Sequence, residues 1–486
     1  MPINEQQERE ITFISGVDAN GKVAATSYYT MEYQADGSVI VPAQYGAEST
    51  AIKWGNRTPG QAGGTVTYWF ADTSGWTNTE KIVWEGTFAF WNGIADISFE
   101  LAADAASANI TVIRGNDGQA FANFHTAGEV PDGSATVVQA PARGAVISVD
   151  TRGSGYGPIN LDSSTEHGYV WSTLIHEVGH IVGLGHAGPY NSTFNTQQQQ
   201  FGAYDSLQWA LMSYINAQDS SARYYGDYAT YVQWSDVGSD PPGTNYNPLS
   251  PQMLDILAAQ RLYGASTSAT FDGGDTYGFN SSFTDDYFQQ VYDFNDGHNP
   301  WAVVTIWNHG TGNTLDLSGF AANATVDLTP GTFSSAGGRT NNIAIAFDTV
   351  IEKAVGGSGN DTIRASNVAS TLEGGNGNDV LMGGSAGDAL TGYNGDDLVL
   401  GGGGADTLDG GAGSDALLGG EADDTLTGDS EHDVLNGGAG VDTLSGGGQD
   451  DWFQFQAGQA NGDTITDFSG NGGGSGVLQF FGYGTA

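Results

Sequence analysis

From Gly356 to Gln454 the chain repeats every nine residues without a break in register, and that period admits few folds. Units open at Gly356, Gly374, Gly383, Gly392, Gly401, Gly410, Gly419, Gly428, Gly437 and Gly446, and a degenerate unit at Ala365 keeps the phase. The template is G-G-x-G-x-D-x-U-x, with U apolar. Its sixth position is filled by Asp361, Asp379, Asp388, Asp397, Asp406, Asp415, Asp424, Asp433, Asp442 and Asp451. The eighth is apolar, as at Ile363, Leu381, Leu408, Leu426, Leu435 and Leu444, and reads as a short-strand residue pointing inward. Glycines at the first two positions permit turn conformations that other residues avoid. The pattern predicts a parallel β-roll in which two units make one coil, so that units two apart stack on the same side. The same-side sets are then 356, 374, 392, 410, 428 and 446 on one side and 383, 401, 419 and 437 on the other.

Oxygen ligands on tight, glycine-rich turns suit calcium rather than zinc. Charge points the same way. The chain has 56 acidic against 13 basic residues, a net charge of -43, and after Lys353 its only Lys or Arg is Arg364. Bound cations would offset that repulsion, so calcium is expected to control folding of the repeats. Candidate calcium ligands are Asp361, Asp379, Asp397, Asp406, Asp415 and Asp442. The turns at Gly383, Gly392, Gly419, Gly428 and Gly446 have lost one or more glycines and are expected to bind less well. A flexible Gly- and Asp-rich linker is the bland alternative, but it would have no reason to hold an apolar residue in phase.

The acidic balance argues against nucleic acid and anionic membranes as partners. No run of about 18 apolar residues is present, so stable membrane insertion is not expected. The chain has no cysteine, which removes disulfides, thiolate metal sites and a cysteine nucleophile. A metal must sit on His, Asp, Glu, Tyr or backbone oxygen.

The chemistry is concentrated in His176-Glu177-Val178-Gly179-His180-Ile181-Val182-Gly183-Leu184-Gly185-His186. On a helix His176 and His180 share one face and can reach one metal ion. Gly183 lets the chain leave the helix, and the turn can return His186 as a third ligand. Three histidines leave a coordination position for water, as catalytic zinc sites do. Glu177 adjoins the first ligand and is the candidate general base for a zinc-activated water. By average residue usage the full pattern arises on the order of once in ten million starting positions. An isolated histidine is usually structural, and His125, His167, His298 and His432 have no partner spacing to promote them.

Downstream, Ala210-Leu211-Met212-Ser213-Tyr214 stands where it can fold back beneath the metal. The extended histidine motif followed by a methionine turn resembles the metzincin metalloproteases. With Tyr two residues after Met and calcium repeats behind, the chain resembles the serralysin family of secreted bacterial proteases. The resemblance runs from about Ile52 to Asp467 and includes Asp255 through Gly264, Gly274 through Asn280, Leu315 through Phe320 and Val350-Ile351-Glu352. It implies one catalytic zinc on His176, His180 and His186, Glu177 as base, Met212 as the turn beneath the metal and Tyr214 as an oxyanion stabiliser. Several calcium ions are implied as structural cofactors, protein or peptide substrates, a monomer, and export to the medium by a one-step (type I) exporter. The chain departs from the family at Ala187, where proline is usual, although Gly188 and Tyr190-Asn191 follow as expected. It departs again at Trp307 through Asn313, where Asp-containing turns are common and where His309 reads as a surface residue.

The fold class expected is an α+β metzincin catalytic domain followed by an all-β parallel β-roll. Residues 1–50 read as an N-terminal extension or propeptide, 51–264 as the catalytic domain, 265–355 as a connecting and capping β segment, 356–454 as the calcium-binding roll, and 455–486 as the start of an incomplete secretion region. Met1 to Glu10 lacks the basic start and apolar run of a cleaved secretory signal. The alternating segment Ala145 through Asp150 reads either as an edge strand that pairs with an extended substrate or as an interior strand. The rival of another class is a non-enzymatic calcium-dependent adhesin or surface protein, which has no need of the His and Glu set. A third possibility is a zinc hydrolase acting on something other than peptides, because the motif specifies activated water and not the substrate.

Overall fold

The structure is a computed structural model describing residues 2–24, 32–33, 39–40, 50–116, 118–124, 136–140, 144–151, 159–160, 169–189, 200–216, 221, 247–295, 303–460, 462–468 and 476–482. His125, His167, His298 and Tyr190-Asn191 lie outside these residues. The chain divides into two compact units, 1–272 with 284–292 and 301–309, and 273–283 with 293–300 and 310–486.

In the first unit helix α1, Glu5–Ser15, starts at a capping box in which the Asn4 side chain accepts from Gln7 N–H and the Gln7 side chain accepts from Asn4 N–H. It ends on Gly16 in the left-handed region, where glycine is unstrained. Two short strands, β1 (Glu32–Tyr33) and β2 (Val39–Ile40), pair antiparallel, and β3 (Thr50–Lys53) precedes the main sheet. That sheet is built from β4 (Gly64–Phe70), β5 (Ile97–Leu101), β6 (Ile110–Arg114), β7 (Ala120–Phe124) and β9 (Ala145–Val149), while β8 (Thr136–Gln139) pairs with β3. In β4 the period-two alternation buries Val66, Tyr68 and Phe70 on one face.

The strand order is β5-β4-β6-β9-β7, with β7 antiparallel to β9 and the other pairs parallel. Among the described residues β9 is therefore interior, and β5 and β7 are the two edges. Helix α2, Asn78–Ile94, has its own capping box between Thr77 and Glu80 and buries Val83, Trp84, Phe88, Phe90, Trp91 and Ile94. Helix α3, Tyr169–Val182, packs on α2, where the Trp91 indole donates to Ile175 O, and on β7 and β9. Helix α4, Met253–Tyr263, follows, and in α5, Asp286–Tyr292, Tyr287 stacks on Trp171 of α3.

The second unit is the expected roll. Nine parallel strands from Thr276–Gly278 to Thr464–Ile465 form one sheet, and eight from Thr325–Asp327 to Val477–Phe481 form the other. Paired strands inside the repeats are 18 residues apart, as in Leu372↔Leu390↔Leu408↔Leu426↔Leu444 and Ile363↔Leu381↔Val399↔Leu417↔Leu435↔Phe453, all buried. The sheets start before Gly356 and continue past Gln454, so neighbouring segments supply the outer coils.

The glycines have two separate tasks. Positive φ falls on the second and fourth positions of the turns opening at Gly374, Gly392, Gly401, Gly410, Gly419, Gly428, Gly437 and Gly446, as at Gly411 (φ 101°) and Gly413 (φ 136°), but not of those at Gly356 and Gly383. The first glycine is needed for space, since a β-carbon on Gly410 would lie 2.4 Å from Asp415 Oδ2. Where glycine has been lost, Tyr393, Ala422, Asp429, Glu431 and Gln449 adopt positive φ in its place, so the turns at Gly392, Gly419, Gly428 and Gly446 keep the backbone path at a local cost. No helix among the described residues is long and apolar enough to cross a membrane.

Candidate metal centre

Helix α3 carries His176 and His180 one turn apart, and three contacts hold its C-terminal end. The Trp54 indole donates to Ile181 O at 2.7 Å, and the Tyr263 hydroxyl donates to Val182 O at 2.6 Å while accepting from Trp54 N–H. These partners satisfy carbonyls that a helix end leaves open. At Gly183 φ is 105°, and a β-carbon would meet Ile52 O at 2.2 Å, so the exit admits glycine alone. Leu184 N–H then returns to Gly179 O and Gly185 N–H to Ile14 O of α1. The first segment of the chain is thus built into the loop that presents His186.

The ligand-capable nitrogens of His176, His180 and His186 lie within 4.8 Å of one another, and His180 Nε2 is 3.2 Å from His186 Nε2. The His176 Nδ1 contacts Leu211 O at 2.9 Å and the His180 Nδ1 contacts Leu184 O at 2.9 Å. A carbonyl can only accept, so both Nδ1 atoms carry the proton and both Nε2 atoms keep a lone pair. His176 Nε2 is buried without a hydrogen-bond partner among the described residues. Burial lowers His176 to about 4 and His180 to about 3, the latter also through His176, so both imidazoles are neutral at pH 7. Three imidazoles converging on one point, with no thiolate present, fit a zinc ion.

Glu177 is buried on the same helix, and its Oε2 has no hydrogen-bond partner among the described residues. Burial pushes its carboxyl up to about 8, partly opposed by a hydrogen bond from Ala122 N–H of the edge strand β7. The Tyr214 ring lies 4.5 Å from that of His186 and 5.8 Å from that of His176. Met212 is fully buried against Gly179, between the first two histidines. Its carbonyl accepts from Ala187 N–H, which ties the methionine turn to the residue after His186.

Two contributors gave no readable signal in the chain. Ala122 sits on a strand whose neighbour β9 was the only candidate from alternation. Asp255 opens the closing helix, but its role depends on what folds against it. It is fully buried and accepts from Leu211 N–H (2.5 Å), Gln252 N–H (2.8 Å) and Met212 N–H (3.3 Å), while burial pushes its carboxyl up to about 7.

His309 is exposed and its Nε2 contacts Ser268 O. His432 is exposed and contacts Asp450 O.

In the roll the sixth-position aspartates form two columns. Asp361 N–H donates to Asp379 Oδ1, and the pattern continues through Asp397, Asp415, Asp433 and Asp451. The other column runs from Asp388 through Asp406, Asp424 and Asp442. Every one of these carboxylates is buried. Oδ2 has no partner among the described residues at Asp379, Asp397, Asp406, Asp415, Asp424, Asp433 and Asp442. By contrast, Asp361 Oδ2 accepts from Gly357 N–H and Asp388 Oδ2 from Gly384 N–H. Burial pushes Asp379, Asp424 and Asp433 up to about 7 and Asp397, Asp406 and Asp415 up to about 6, with neighbouring aspartates adding to it. Buried, unpartnered carboxylate oxygens in ordered columns fit hard divalent cations. Asp424 and Asp433 share this geometry although their turns have lost glycines.

Residues 267–474 match the family described as Peptidase M10 serralysin C terminal. The chain is 32% identical over 272 residues to serralysin of Proteus mirabilis, covering 55% of this chain and 50% of that protein. It is 32% identical over 205 residues to serralysin C of Dickeya chrysanthemi, covering 42% of this chain and 38% of that protein. To the metalloprotease AprA of Pseudomonas entomophila (strain L48) it is 30% identical over 291 residues, covering 56% and 53%. The chain spans about half the length of the first of these relatives.

Proposed function

We propose that the chain is a serralysin-like secreted zinc metalloendopeptidase that hydrolyses peptide bonds in proteins, a reading supported by its similarity to serralysins over about half their length. The observation that carries this is the convergence of His176, His180 and His186, with Glu177 next to His176 on the same helix and its buried Oε2 without a hydrogen-bond partner among the described residues. A zinc ion held by the three histidines would supply Lewis-acid chemistry, acidifying water and polarising the scissile carbonyl. Glu177 Oε2 takes a proton from the attacking water and delivers it to the departing amine, so one carboxylate serves as base and then as acid. Tyr214 supports the negative charge that develops on the carbonyl oxygen. The Nδ1 contacts to Leu211 O and Leu184 O orient two of the three imidazoles before substrate arrives.

An extended peptide would add to β7, an edge strand among the described residues, with backbone bonds giving affinity and side-chain pockets giving preference. That strand suits the task because Ala122 N–H also touches Glu177, which places substrate pairing next to the base. Calcium ions between the turns of the roll would neutralise the aspartate columns and stabilise the second unit. Release of a monomer through a one-step exporter, with the roll folding on meeting external calcium, accords with the acidic composition.

Casein cleavage by the unmutated chain and by Glu177→Ala tests the mechanism. Activity in the variant is expected to fall by about 10²–10⁴-fold with zinc content unchanged. Equal activity in the two would overturn it.

A further inference from the structure

The turn that carries Met212 is tied to the metal centre through one peptide group. The C=O of Leu211 accepts from His176 Nδ1, and the N–H of Met212, in the same peptide, donates to Asp255 Oδ1. Asp255 Oδ2 also accepts from Leu211 N–H, so two consecutive peptides of the turn converge on one buried carboxylate. We infer that Asp255 is a positioning residue of the zinc site, acting on His176 through the Leu211–Met212 peptide. This rests on the proposed zinc-dependent function.

The physical basis is polarisation along a hydrogen-bonded chain. A carboxylate facing a peptide N–H draws density toward the carbonyl end and makes that oxygen a better acceptor. A better acceptor at Leu211 holds the Nδ1–H tautomer of His176, fixes the ring plane and raises the basicity of Nε2 toward a metal ion. Metal-bound histidines commonly meet a carboxylate directly; here a peptide stands between the two. The anchor is rigid because Asp255 belongs to α4, whose Leu254 N–H is held by Trp209 O. Asparagine would keep the shape but place an amide donor against one of the three N–H groups.

Zinc release to a chromophoric chelator, followed on the full chain, reads this directly. Asp255→Asn is expected to release zinc about 10–100-fold faster than the unmutated chain, with far-UV circular dichroism unchanged. Gln252→Ala removes the buried side chain at the start of the same helix that donates to Ser250 O and accepts from Thr305 Oγ1, leaves the relay intact, and separates positioning from general loosening. It is expected to lower the melting temperature without speeding release. The cobalt-substituted form of Asp255→Asn is expected to show altered visible absorption bands.

Unchanged release in folded Asp255→Asn, or equal acceleration in Gln252→Ala, would overturn the relay. Should Asp255→Asn not fold, Asp255→Glu replaces it under the same criterion, and failure of both to fold overturns the proposal in favour of a folding role. An unmutated chain that takes up no zinc overturns the proposed function itself. Zinc uptake with unchanged release in the variants overturns the relay alone.

Discussion

A β-carbon on Gly179 would lie 2.7 Å from the Sδ of Met212, and 3.2 Å from the Trp91 ring. The spacing residue between His180 and Glu177 is therefore sized by the methionine turn. Gly179→Ala should force Met212 or α3 aside, at about 1–3 kcal/mol for overpacking a core. The expected outcome is a lower melting temperature together with weaker zinc retention, measured by calorimetry and by metal content after dialysis. Full zinc retention would show that the turn gives way without moving the ligands.

Glu10 of α1 is fully buried, with Oε1 accepting from the Gln6 side chain and Tyr204 N–H. Burial holds its carboxyl well above the ordinary 4.5, with Asp205 adding to the rise while Gln6, Tyr204 and Arg9 oppose it. A carboxyl raised on folding stabilises the fold below its unfolded value and loses that contribution as pH rises through its folded value. The unmutated chain should therefore lose melting temperature relative to Glu10→Gln as pH is raised from 4.5 through neutrality, and Glu10→Gln should be the more stable at pH 8. Parallel melting curves across that range would contradict the assignment.

Calcium removal separates glycine content from carboxylate geometry. Chelation is expected to reduce β-structure in the full chain, and added calcium to restore it. Asp424 stands in a turn short of glycine yet presents the same partnerless Oδ2 as Asp406. Asp424→Ala should therefore raise the calcium midpoint of the circular dichroism transition about as much as Asp406→Ala. An effect confined to Asp406→Ala would favour the glycine criterion.

Ala422 holds a φ of 79° at a turn position that glycine fills elsewhere. The left-handed region costs a non-glycine residue about 1–2 kcal/mol, and glycine loses about 0.5–1 kcal/mol more chain entropy. Ala422→Gly should stabilise the calcium-loaded roll by up to about 1 kcal/mol, whereas Gly411→Ala, whose β-carbon would meet Tyr393 O at 2.3 Å, should destabilise it. Thermal unfolding in excess calcium decides both.

Much of the second unit was legible because its information is periodic. A nine-residue phase with one inward apolar position specifies which strands pair, and the observed pairing of Leu390 with Leu408 follows from it. The turns were less legible. Loss of a glycine suggested loss of a site, but Tyr393, Ala422 and Asp429 keep the positive φ that the turn requires, because neighbouring coils hold the backbone on both sides. In the metal centre, spacing placed His176 and His180 on one helical face, and Gly183 allowed the exit that presents His186.

The amino-acid sequence alone determined the parallel roll, the alternation of its two sides and the three-histidine set, since each depends on spacing along the chain. Tertiary structure alone decided that β7 rather than β9 lies at an edge among the described strands, that Met212 fills the space opposite Gly179, and that Asp255 reaches the peptide contacting His176. Those relations join residues distant in sequence, and a contact formed only by packing leaves no period or spacing to read.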